Sequence, residues 1–82
     1  MNVATRIQPQ TVLLTAPTAG RVAFCAPSAL CGELEVFAPA ETIAVVGGVR
    51  VEAPDHGFVL RALVADGEQV TAGTAIVAYR TV

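Results

Sequence analysis

Apolar residues along this chain fall into short runs, each closed by a cluster of turn-forming residues. The runs cover 11–16, 20–24, 33–37, 42–46, 49–53, 57–65 and 75–81. Between them stand Pro-Thr-Ala-Gly, Ala-Pro-Ser-Ala, Ala-Pro-Ala-Glu, Gly-Gly, Pro-Asp-His-Gly, Ala-Asp-Gly-Glu and Thr-Ala-Gly-Thr. Many short runs rich in Val, Ile and Thr, with regular turn chemistry between them, predict an all-β sandwich or barrel. No window repeats apolar residues at helical spacing. Glu33-Leu34-Glu35-Val36 and Val49-Arg50-Val51-Glu52 alternate strictly, so each is expected to place charge on one strand face and apolar side chains on the other. Residues 1–10 are polar and read as an N-terminal tail or loose edge segment ahead of a single domain over 11–82.

The strongest local feature is Gly47-Gly48, set between the runs 42–46 and 49–53. A two-residue loop of type I′ needs positive φ at both positions, which glycine adopts without a Cβ penalty, so this is a β-hairpin. Around it the sequence repeats. Ala16-Pro17-x-x-Gly20 returns as Ala53-Pro54-x-x-Gly57 at an offset of 37, and Ala40-Glu41-Thr42-Ile43 returns as Gly73-Thr74-Ala75-Ile76 at an offset of 33. The first half therefore holds four more residues than the second, placed around 25–32. Two β units that each bury one face form a single core about a pseudo-twofold where neither alone is sufficient.

Composition narrows the chemistry. With 82 residues, 54% of them hydrophobic and no tryptophan, the chain supports one thin core of small and β-branched side chains. A net charge of −2 without any basic run gives no nucleic-acid surface. No apolar run is long enough to span a bilayer, and the first ten residues lack the basic-then-apolar order of a secretory signal. A cytoplasmic location follows as the expectation, with Cys25 and Cys31 as reduced thiols. All five basic residues are arginines: Arg6, Arg21, Arg50, Arg61 and Arg80. The chain has no lysine.

The second half carries Ala53-Pro54-x-x-Gly57, Val59-x-x-x-x-Val64, Asp66-Gly67-Glu68-x-Val70 and Gly73-x-x-Ile76, and the first half follows the same order less closely. This ordered set resembles the biotinyl/lipoyl carrier domain family over about 11–82. The segment from Cys25 to Val36 resembles the place where the biotin carrier domain of acetyl-CoA carboxylase bears a protruding thumb. The resemblance implies a flattened β-barrel, a barrel-sandwich hybrid of two antiparallel sheets related by a pseudo-twofold. Family members act through one lysine at the hairpin tip, to which a ligase joins biotin or lipoate. Here Val46-Gly47-Gly48-Val49 stands at that place, and Met1 is the only methionine. An amide-linked biotin or lipoate is chemically excluded, so no cofactor is expected.

The remaining reactive side chains are weak candidates. Cys25 and Cys31 have five residues between them, unlike the Cys-x-x-Cys pairs of common zinc sites, and only His56 offers a further nitrogen ligand. Small buried or loop cysteines are the plainer reading, with a thiol nucleophile, a metal site or a disulfide as the alternatives. His56 and Asp55 share a polar turn without a serine nucleophile motif. Asp66-Gly67-Glu68 offers too few carboxylates for calcium. Arg50 beside the tip is either a solvated strand charge or a fork for a partner's carboxylate or phosphate. No metal site is expected, and Gly47-Gly48 lacks the lysine and helix of a phosphate loop. Two functions stay open. One is a noncovalent binding, assembly or regulatory module for a carboxylase or acyltransferase-type subunit. The other is a repurposed small-molecule-binding protein or enzyme in a biosynthetic pathway, with a site near the thumb-like loop or between protomers of a homo-oligomer.

Overall fold

A computed structural model of the chain describes residues 10–25 and 35–82. They form eight strands: β1 (Thr11–Thr15), β2 (Gly20–Phe24), β3 (Val36–Phe37), β4 (Thr42–Val46), β5 (Val49–Glu52), β6 (Gly57–Ala62), β7 (Gln69–Val70) and β8 (Ala75–Thr81). Every pairing is antiparallel. The first sheet has the order β1-β8-β6-β3 and the second β5-β4-β2-β7. The two sheets stack as a flattened sandwich, and the described residues contain no helix, so none is long and apolar enough to cross a membrane.

The internal repeat is written into this topology. Moving every strand four places along the chain converts the order β1-β8-β6-β3 into β5-β4-β2-β7. The hydrogen bonds follow the same rule. Ala16 N–H donates to Thr74 O at 2.8 Å, and its counterpart Ala53 N–H donates to Glu41 O at 2.8 Å. Gly73 N–H reaches Ala16 O at 2.8 Å, as Ala40 N–H reaches Ala53 O at 2.9 Å. Gly73 has φ 88° and Ala40 φ 71°, so both halves turn through the left-handed region at the same place. The two Ala-Pro-x-x-Gly glycines also share one role. A Cβ on Gly20 would lie 2.6 Å from Gly47 Cα, and one on Gly57 would run into Arg80 O. Each glycine lets the start of one strand press against the end of its neighbour. The offset changes from 37 to 33 between β2 and β3, which places the four extra residues in that connection.

Each half contributes two strands to each sheet, so the core is shared. It holds Ala16, Val22, Phe37, Ile43, Ala44, Val46, Val51, Ala53, Val59, Val70, Ile76, Val77 and Tyr79. As the composition predicts, the layer is thin and mostly β-branched; burying a side chain such as Ile43 or Ile76 contributes about 1.5–3 kcal/mol. Tyr79 is the largest fully buried side chain, and its hydroxyl donates to Asp55 O at 2.7 Å. Burial first, and then the carboxylates of Asp55 and Glu41, push its hydroxyl above the ordinary tyrosine range.

Several local expectations change. β7 is an eighth strand, two residues long, that pairs Gly20↔Val70 and Arg21↔Gln69 across the sequence repeat. The run 57–65 pairs as a strand only to Ala62, with a bulge between Val59 and Arg61. In β3 Phe37 takes the inward position, so Val36 points to solvent with 64% of its surface exposed. The expected apolar inner face at Val36 is therefore shifted by one residue, because the larger ring fills the core. Residues 33–34 of the expected third run, the tail over 1–9, most of the thumb-like segment, Cys31 and the Cys25–Cys31 disulfide alternative lie outside the described residues.

Candidate functional site

The β4–β5 hairpin closes as the Gly-Gly pair requires. Val46 pairs with Val49, and the two glycines between them have φ 54° and 83°, the mirror-image turn that matches strand twist. Their surroundings differ. Gly47 N–H donates to Arg21 O at 3.3 Å, and a Cβ at Gly47 would stand 2.7 Å from Ala19 O. Gly47 thus lies flush on the turn between β1 and β2. A Cβ at Gly48 would meet nothing within 4 Å. Of the two turn glycines, position 48 is the one whose side chain would project freely, and it has none. The tip offers backbone and no nucleophile or amine.

The sequence candidates are dispersed around the sandwich. Arg50 is exposed on β5 and its guanidinium pairs with Glu52 at 2.5 Å on the same strand face. Both groups are solvated, so the pair contributes at most about 1 kcal/mol, and Arg50 is a solvated strand charge whose fork holds a carboxylate of its own strand. His56 lies past the far end of β5, in the turn that receives Val82 N–H on its carbonyl at 3.0 Å. Its imidazole is exposed, with Nδ1 3.7 Å from Asp55 Oδ1. Cys25 directly follows β2, exposed and free, with its N–H on Ile43 O at 2.9 Å. The fold brings none of these three together. Among the described residues no cluster of three or more His, Cys, Asp or Glu side chains forms a metal site.

Asp66-Gly67-Glu68 is a turn that locks β2 in place. Asp66 Oδ1 accepts from Phe24 N–H at 3.0 Å, Gly67 O accepts from the Arg21 guanidinium at 3.1 Å, and Gly67 N–H donates to Val22 O at 2.6 Å. The Asp66 carboxylate thus serves the backbone of the other half, while Glu68 Oε1 accepts from Ala65 N–H at 2.9 Å within its own turn.

One surface feature is absent from the sequence reading. An open groove of about 410 Å³ lies on the outer face of the first sheet, lined by Phe58, Leu60, Arg80, Thr81 and Val82. Its trace in the sequence is the unbroken apolar run from Gly57, in which Phe58, Val59 and Leu60 supply both strand faces. Such a run marks a strand covered on both sides, whereas a half-solvated strand alternates.

No family model matches the chain, and no curated protein matches it. Among solved structures, a single-chain, multi-domain long-chain acyl-CoA carboxylase is similar in fold, with a TM-score of 0.73 and 24% identity over 96% of this chain. The chain spans only 8% of the length of that carboxylase.

Proposed function

We propose that this chain is a carrier-like domain that works without a prosthetic group, as a noncovalent binding, assembly or regulatory module of a carboxylase or acyltransferase-type complex. The observation that carries the reading is the hairpin tip. The carrier-like frame is kept down to its paired Ala-Pro-x-x-Gly turns, while position 48 opens on solvent without a side chain. A carrier needs an amine that a ligase acylates. Arginine stays protonated and does not serve as that nucleophile, and the chain has no lysine. The likeness to a segment of a multi-domain carboxylase supports the class of complex. What such a domain retains is its surface, and its work is to dock.

Affinity purification of the tagged chain from its source cell, followed by native mass spectrometry, tests this. The expected result is an unmodified chain mass together with a carboxylase or transferase subunit. A biotin or lipoate adduct on the chain overturns the reading, as does turnover of a small molecule by the isolated chain.

A further inference from the structure

The pseudo-twofold supplies an internal control for the outer surfaces. Leu13, Val36, Phe58 and Leu60 point outward from the first sheet; Leu13, Val36 and Leu60 are 60%, 64% and 44% exposed. At the offsets of 37 and 33, the same places on the second sheet hold Arg50, Gln69, Arg21 and Ala23, all exposed. One fold thus presents the same outer positions twice, once apolar and once polar or small. The apolar version is not a requirement of the architecture. Contiguous exposed apolar surface of this kind marks an interaction site.

The charges beside it select the occupant. Arg80 stands in the row Val36, Phe58, Arg80, Thr11, and Arg61 lies beside Leu60. Among the described residues no carboxylate occupies an outward strand position of this sheet, and Glu35, just ahead of β3, is already engaged. The Arg80 guanidinium makes one long contact, 3.4 Å to Thr11 Oγ1. A second copy docking face to face would set these guanidinium groups against one another about a twofold, which like charges oppose. An enclosed small ligand is disfavoured as well, because the groove is open and such ligands bury most of their surface. Four strands at ~4.8 Å spacing, with about five residues each at ~3.3 Å rise, give a face of roughly 19 by 17 Å. That is about 320 Å², below the ~800 Å² per partner of a standard interface, which fits a transient contact.

We infer that the outer face of the first sheet docks an acidic, apolar polypeptide surface, whose side chains fill the Phe58–Leu60–Val82 groove while its carboxylates meet Arg61 and Arg80. The inference rests on the docking-module reading above and assigns it a face and a partner chemistry.

The test is a titration of the ¹⁵N-labelled chain with a soluble synthetic peptide that alternates leucine and glutamate, against its lysine-for-glutamate twin. The acidic peptide is expected to shift the amides of Leu13, Phe58, Leu60 and Val82 saturably, and the basic twin to bind about tenfold more weakly or not at all. Two variant sets should each weaken binding about tenfold with the melting temperature unchanged. Leu13→Arg with Leu60→Ala installs the residues that the second sheet carries at the same places, and Arg61→Glu with Arg80→Glu reverses the charge. Equal binding of both peptides, or shifts centred on 46–49, overturns the assignment. So does dimerisation, or binding to phosphatidylserine vesicles, that the variants abolish. The carboxylase capture separates the two claims. A subunit retained equally by the Leu13→Arg, Leu60→Ala chain leaves the docking module standing and overturns this face. Peptide binding at this face without any captured subunit supports the face and overturns the module.

Discussion

At the scale of single residues, Ala40 is the sharpest departure from what its conformation favours. It is the only non-glycine residue with positive φ among the described residues, and its counterpart in the other half is Gly73. A side chain in the left-handed region costs about 1–2 kcal/mol, partly offset by the greater unfolded-state entropy of glycine. Ala40 is exposed, so little packing is lost on removing its methyl. Ala40→Gly should therefore stabilise the domain by about 0.5–1 kcal/mol, read as a higher urea midpoint. Tyr79 gives a pH signature. Its hydroxyl titrates higher in the fold than in the unfolded chain, first because it is buried. The unfolded chain then loses the proton first as pH rises. The stability is complete below about pH 10, the ordinary tyrosine value, and declines as pH climbs from there through the folded value. Tyr79→Phe should remove that alkaline decline and cost about 1–3 kcal/mol at neutral pH, because Asp55 O loses its donor. Denaturant titrations of both chains at neutral and alkaline pH check the sign.

At the scale of elements, the hairpin was legible in the sequence because two glycines between β-branched runs leave few other solutions. Its asymmetry was not, since contact between Gly47 and the 17–20 turn depends on residues far away in the chain. The two positions should respond differently to a methyl. Gly48→Ala meets only backbone strain and should cost about 1 kcal/mol. Gly47→Ala must also displace the Ala19 carbonyl, and the expected loss is about 2 kcal/mol or more. Equal losses in urea unfolding would show that the tip does not rest on that turn. Short pairings escaped the sequence for the same physical reason. β7 has two residues and no pattern of its own; its position comes from β2 and from the Asp66-Gly67-Glu68 turn that clamps it. Val36 misled because strict alternation fixes the period of a strand but not which parity turns inward, and the Phe37 ring decided that.

At the scale of the whole molecule, the repeat could be read from turn motifs at two offsets, and with it the sandwich of two sheets. The candidate side chains Cys25, His56 and Arg50 could not be sorted in that way, since their separation follows from strand order and not from spacing. The apolar outer face needed both the topology and the twofold, because only the comparison between sheets reveals which positions depart from the common plan. The same topology has a mechanical outcome. Gln10 and Thr81 are bonded to each other, N–H to Oγ1 at 2.9 Å and O from N–H at 2.8 Å, at the junction of β8 and β1. That junction stands in the twofold where β4 meets β5, so the stretch from residue 10 to residue 82 runs as a nearly closed ring with two matching seams. Joining residues 10 and 82 by a short flexible linker and reopening the ring between Gly47 and Gly48 should give a permuted chain that refolds to the same sandwich, recognisable by its amide spectrum. The two pieces cut at that second seam, neither owning a complete sheet, should stay unfolded apart and assemble when mixed.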